Sequence, residues 1–300
     1  MCVVCAPLRR VASQHMVYRH GVISSPLIDA RAPELRARNT ILLDARGGPD
    51  AHQRYAAEHL RVARFIDLER DLSAPTSHPE DGGRHPLPAI AEWASTLGRL
   101  GIGPDDDVVI YDDQGGANAA ARAWWMLRAV GHQRVWVLDG GLAAARDANL
   151  PCSTGEEAWA PKPPYPAKAY ALPTIDIHDV EASQASGSRV LVDVRSAPRF
   201  NGEVEPIDPV AGHIPGALNH PLTLHMGADG RFLPPEQLRA QYEQLLAGRP
   251  PSDMVLSCGS GVTACHGLLA MEHAGLPGAA LYVGSFSEWC RVRPVATTVT

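Results

Sequence analysis

The tetrapeptide Leu43-Asp44-Ala45-Arg46 returns 149 positions later as Val192-Asp193-Val194-Arg195. A chain that repeats itself across its halves is constrained to fold as two copies of one unit. The register around the repeat holds as well. His59, ahead of Phe65-Ile66-Asp67, is matched by Gly212-His213-Ile214-Pro215-Gly216-Ala217 at a similar interval after the aspartate. Farther on, Val108-Val109-Ile110-Tyr111 delivers Asp112 and a glycine-containing loop into a helical stretch from Ala119 to Val130. Its counterpart, Met254-Val255-Leu256-Ser257, delivers Cys258 and a second such loop into Cys265 to His273. Short β-branched runs alternating with longer helical patterns read as parallel sheets covered by helices, so the expected class is α/β with two tandem domains.

Between the halves lies PCSTGEEAWAPKPPYPAKAYALP, residues 151–173, too rich in proline to hold a regular helix or a central strand. It reads as a linker. The expected organisation is a tail over 1–17, a first domain over 18–150, the linker over 151–173 and a second domain over 174–300. A length of 300 residues is long for one core and comfortable for two.

Apolar residues at 45% and charged residues at 20% fit a folded chain and exclude bulk disorder. A net charge of −6 without any basic block argues against a nucleic-acid partner. Arg, Asp or Gly interrupts every apolar stretch before the ~18 residues of a membrane span, so no membrane association is expected. Arg9 and Arg10 follow the first apolar residues, the reverse of a secretory signal, which makes the cytoplasm the expected location and Met16 an alternative start. Six unevenly placed cysteines do not form a disulfide framework. Cys2 and Cys5 make a lone C-x-x-C with no second pair, which reads as tail and not as a zinc site.

The two loops differ where chemistry is expected, with Asp112 in one and Cys258 in the other, each at the carboxyl end of a strand where open α/β sheets place their ligands. In Cys258-Gly259-Ser260-Gly261-Val262-Thr263 the glycines let successive backbone N–H groups curl inward, and the following helix begins there. Such a cradle favours a thiolate and an anionic persulfide. A free cysteine is more often a small buried apolar residue, and Cys265 is assigned to packing on that ground; Cys152 and Cys290 carry no motif. The strand, loop and helix around Cys258 argue for the nucleophile.

The loop resembles the active-site loop of the rhodanese superfamily, and C-G-S-G-V-T-A is similar to the version found in its mercaptopyruvate sulfurtransferases. The likeness runs from about residue 18 to Trp289 and takes in the His213 motif and Gly284-Ser285-Phe286-Ser287-Glu288-Trp289. It implies two rhodanese-like domains, the second catalytic, and sulfur carried as a persulfide on Cys258. The implied partners are a small-molecule donor and a thiol, thioredoxin-like or cyanide acceptor, with no metal and no cofactor. Thiosulfate-using members tend to carry basic residues after the cysteine; Gly259 and Ser260 are neutral, which points to 3-mercaptopyruvate, with thiosulfate as the alternative donor.

By the same resemblance Arg199 binds the donor, and its guanidinium suits a carboxylate. Arg195 resembles a buried structural arginine and His213 a structural turn residue. Gly259, Gly261, Val262 and Thr263 would cradle the substrate, while Glu69 and His85 would reach Ser260 as a proton relay. The loop Gly83-Arg84-His85-Pro86-Leu87-Pro88 would by itself also suit a plain surface histidine. The family usually has aspartate where Glu69 and Val283 stand, and an arginine where Ile207 follows Glu205-Pro206, so the donor clamp should be built differently. Trp124-Trp125 reads as core or interface packing. Two other readings remain. A phosphatase would need an arginine where Ala264 stands. A non-catalytic sulfur-relay module would exchange sulfur between proteins only.

Overall fold

The computed structural model describes residues 25–37 and 39–298. The tail over 1–17, with Cys2, Cys5 and Met16, lies outside them. In the first half the strands are β1 (Leu27–Ile28), β2 (Thr40–Asp44), β3 (His59–Leu60), β4 (Arg64–Phe65), β5 (Asp107–Tyr111), β6 (Val135–Leu138) and β7 (Cys152–Ser153). The helices are α1 (Ala51–Ala57), α2 (Leu68–Asp71), α3 (Ile90–Arg99), α4 (Ala119–Ala129) and α5 (Gly141–Asp147). The second half adds β8 (Thr174–Ile175), β9 (Val190–Asp193), β10 (Leu218–Asn219), β11 (Met254–Ser257) and β12 (Ala280–Tyr282). Its helices are α6 (Ile177–Ser186), α7 (Ala197–Asn201), α8 (Pro235–Leu246), α9 (Ala264–His273) and α10 (Ser285–Val292).

The duplication seen in sequence is a duplication of topology. One parallel sheet runs β1-β6-β5-β2-β4 and the other β8-β12-β11-β9-β10, the same order traced through equivalent strands. Both are covered on their faces by helices, which is why β5 and β11 are apolar apart from Asp107 and Ser257 and fully buried apart from Asp107.

The repeated aspartate and arginine make the same buried ion pair in each half. Arg46 donates to Asp44 at 2.5 Å and 2.8 Å, and Arg195 to Asp193 at 2.7 Å. The repeated histidines match too. His59 Nδ1 lies 2.8 Å from the Tyr55 carbonyl and its ring stacks on Tyr55; His213 Nδ1 lies 2.8 Å from the Phe200 carbonyl and stacks on Phe200. Each clips the helix after the aspartate strand to the next turn, so the structural reading of His213 holds.

The two halves share one apolar core. Trp93, Trp124 and Trp125 of the first half belong to the same buried cluster as Val192, Leu256 and Leu269 of the second. The helix after each loop is the meeting point: α4 packs on α9. Trp124 and Trp125 are buried there, as the pattern of the helix implied. The proline-rich stretch is strapped to the first half. Cys152–Ser153 pair antiparallel with β3, Trp159 Nε1 donates to the Arg99 carbonyl at 2.8 Å, and Tyr165 N to the Ala94 carbonyl at 2.9 Å. Among the described residues no helix is long and apolar enough to cross a membrane.

Candidate active site

Cys258 follows β11 directly and is 1% exposed. Its loop is held from outside by the start of α10: Phe286 N donates to the Cys258 carbonyl at 3.0 Å, Ser287 N to the Gly259 carbonyl at 2.8 Å, and Cys258 N to Ser285 Oγ at 3.1 Å. The terminal Gly-Ser-Phe-Ser-Glu-Trp motif is therefore the clamp of the loop. Gly261 has φ of +75° and packs against the Val283 carbonyl, a place where a side chain would collide with backbone. The contact uses the main chain of residue 283.

The expected cradle is only partly closed on the sulfur. Gly261 N donates to Cys258 Sγ at 3.1 Å. The N–H groups of Ser260, Val262 and Thr263 have no acceptor among the described residues. The first-half loop shows what they can do. There the buried Asp112 carboxylate accepts from Gln114 N and Gly116 N at 2.8 Å each, Asn118 N at 3.0 Å and Ala120 N at 3.4 Å. Burial raises the Asp112 pKa and the four N–H groups oppose that, so this carboxyl fills its own nest, whereas the second nest holds no such side chain.

Three residues predicted far apart in sequence meet beside the loop. His85 Nδ1 lies 2.7 Å from Ser260 Oγ, and His85 Nε2 lies 3.0 Å from Glu69 Oε1. The carboxylate can only accept, so the Nε2 proton faces Glu69 and Nδ1 accepts from the serine hydroxyl. Burial lowers the His85 pKa below its ordinary value; Glu69 opposes this, and Arg122 and Arg84 reinforce it. His85 is thus held at both ring nitrogens and largely buried, unlike a plain surface histidine. Glu69 is 74% exposed at its side chain and spans the gap with its extra methylene.

Arg199 sits over Gly259, with a β-carbon at that glycine falling 3.7 Å from its guanidinium nitrogens. It donates to Glu205 at 2.6 Å. Burial raises the Glu205 pKa, but Arg199 and the backbone N–H groups of Asp208 and Ile207 outweigh it and hold the carboxyl below its usual range. Ile207 supplies only that N–H and points an exposed side chain away, so the arginine the family has there is missing as expected. Arg84 of the first half takes up a place beside the same glycine, 3.3 Å from the position of a β-carbon on Gly259, and pairs with buried Asp208. Arg291 also reaches Asp208, at 3.1 Å. Four guanidinium groups, of Arg84, Arg195, Arg199 and Arg291, against the carboxylates of Asp193, Glu205 and Asp208 leave one positive charge at the mouth.

Sequence reading missed Arg84, Arg122 and Asp208. Arg84 adjoins the histidine that drew attention. Arg122 stands in Ala119-Ala120-Ala121-Arg122-Ala123-Trp124-Trp125-Met126-Leu127, a charge amid apolar residues that a buried helix has reason to carry only for a partner. Arg195 takes the scaffold role assigned to it, bonding Asp193, Glu205 and the Gly212 carbonyl. Cys265 packs, donating to the Gly261 carbonyl at 3.4 Å, with burial pushing its thiol up to about 12.

A sequence model of the rhodanese-like domain matches residues 24–148 and 176–292. A Pseudomonas aeruginosa protein named "Probable 3-mercaptopyruvate sulfurtransferase" is 50% identical over 246 residues, covering 81% of this chain and 86% of that one. The human 3-mercaptopyruvate sulfurtransferase is 38% identical over 254 residues, covering 82% of each. Among solved structures, 3-mercaptopyruvate sulfurtransferase from Leishmania major superposes with a TM-score of 0.79 at 30% identity, over 92% of this chain and 76% of that one.

Proposed function

The chain belongs to the rhodanese-like domain family and is a sulfurtransferase, and we propose that it moves sulfur from 3-mercaptopyruvate through a persulfide on Cys258. In this reading residues 18–150 form a non-catalytic domain that lends side chains and residues 174–300 the catalytic one, joined by 151–173. The observation that carries the donor is the line Glu69, His85, Ser260 beside a neutral Cys258 loop. A donor with a thiol and a carbonyl can use that relay, whereas thiosulfate has no proton to give it.

Arg199 and Arg84 would take the donor carboxylate at the mouth, with the geometry that guanidinium offers to paired oxygens. Ser260 would pass the donor thiol proton to His85 Nδ1, with Glu69 stabilising the imidazolium. The Cys258 thiolate attacks the donor sulfur, and the carbon–sulfur bond breaks with its electron pair going to carbon as pyruvate enolate. The proton on His85 returns to that carbon. Pyruvate leaves, and the persulfide anion stays in the nest of Gly259, Gly261, Val262 and Thr263 until a thiol, a thioredoxin-like protein or cyanide takes the outer sulfur. A cytoplasmic, reducing location suits a thiol that must be free at the start of each cycle.

The test is steady-state transfer with 3-mercaptopyruvate and thiosulfate offered in parallel and cyanide as common acceptor. The expected result is kcat/KM at least ~tenfold higher for 3-mercaptopyruvate, a margin that one well-placed polar group commonly provides. A preference for thiosulfate would hand the chain to the alternative donor.

The relay makes its own prediction. Because His85 must be neutral to accept, the acid limb of kcat/KM should fall below the ~6.5 of an ordinary histidine. Glu69 favours the imidazolium, so Glu69→Gln should move that limb to still lower pH, by less than a unit given the exposure of the carboxylate, and lower the plateau roughly tenfold. A limb that moves upward would remove Glu69 from the relay.

A further inference from the structure

Arg122 is wholly buried, and among the described residues no carboxylate lies within ion-pair distance of it. Its Nη1 donates to the Gly261 carbonyl at 3.2 Å and its Nη2 to the carbonyls of His85 at 3.0 Å and Leu72 at 3.3 Å, while its Nε has no partner. Arg84, Arg199 and Arg291 nearby each hold a carboxylate. A buried guanidinium without an anion is costly, and neutral carbonyls offset that only in part. The cost is met if an anion forms next to it during function.

We infer that Arg122 is a positioning residue whose charge favours the anionic sulfur of Cys258 from across the domain interface. Gly261 connects the two: its N–H donates to Cys258 Sγ and its carbonyl accepts from Arg122. The Cys265 thiol bonds the same carbonyl, and burial pushes it up to about 12. The first-half loop needs no such arginine, since its Asp112 carboxyl already accepts from four backbone N–H groups. By also gripping the carbonyl of His85, the one guanidinium ties the relay to the loop. The assignment rests on the reading of Cys258 as the sulfur carrier.

The test uses the full chain with Arg122→Lys, which keeps the charge, and Arg122→Gln, which keeps an amide donor without it. The rate of Cys258 alkylation by iodoacetamide, followed by mass on the Cys258 peptide from pH 6 to 10 (about), reports the reactive anion with no donor present. At neutral pH Arg122→Gln should react about tenfold more slowly and converge on the wild type when alkaline, whereas Arg122→Lys stays within about threefold. A folded Arg122→Gln that reacts like wild type overturns the inference, and so do two variants slowed alike at every pH, the mark of lost packing alone. If the glutamine variant fails to fold, a folded Arg122→Lys slowed by about tenfold at neutral pH is the overturning result, and one within about threefold supports it. Wild type that takes up no sulfur from 3-mercaptopyruvate would sink the persulfide reading and leave the alkylation result to be judged by itself.

Discussion

Cys258→Ser should take up no sulfur from 3-mercaptopyruvate, while the wild-type chain gains about 32 Da, one sulfur atom, on the peptide carrying Cys258. Turnover with cyanide should fall by roughly 10³ or more, since the hydroxyl cannot hold the transferred sulfur. Among the described residues no other thiol is placed to take over. Cys265 is fully buried, its thiol is raised to about 12 by burial, and it is spent on the Gly261 carbonyl. Cys290 is buried and raised by burial and by Asp208. Cys152 lies on β7 at the edge of the first half, where burial and Glu58 raise it. Intact-mass and peptide spectra of donor-treated protein settle the matter. Sulfur found on any other cysteine, or a serine variant that still turns over, would overturn the assignment of Cys258.

Arg195→Met should destabilise the fold by about 3–5 kcal/mol, the cost of leaving the buried Asp193 carboxylate without its counter-charge, since Glu205 keeps Arg199. Its side chain is 2% exposed and those of Asp193 and Glu205 are 1% and 2% exposed, so water cannot replace the lost partner. The guanidinium also lies over the Phe286 ring at 3.8 Å and bonds the Gly212 carbonyl at 2.8 Å, joining β9, the His213 turn and α10. The denaturant midpoint reads this directly. Because Glu205 orients Arg199, the same variant should raise KM for 3-mercaptopyruvate in protein that remains folded. A loss under ~1 kcal/mol would mean that packing by methionine compensates for the ion pair.

Much of the fold was legible because it is set by short-range pattern. The apolar runs of β5 and β11, the helical periods of α4 and α9 and the 149-residue echo of Asp44 and Arg46 are each local, and their copies agree. The prolines of 151–173 gave no sign that Cys152–Ser153 would pair with β3, since a two-residue strand leaves no periodic trace. In the site, the loop from Cys258 to Thr263 was legible from its strand, glycines and following helix, whereas the donor preference came from the resemblance of that loop to a known family.

What the sequence by itself determined is the duplicated α/β plan, the cysteine loop and the side chains able to act there. Only the tertiary structure decided which of them meet. Ser260 and His85 are 175 residues apart, and their 2.7 Å contact exists because α4 docks on α9 and carries the first-half loop across. The same docking puts Arg84 beside Gly259 and Arg122 behind Gly261. Periodicity and propensity describe how a chain arranges its near neighbours. A guanidinium finding a carbonyl 139 residues away depends on how two buried faces fit, and that fit is a property of the packed core shared by both halves.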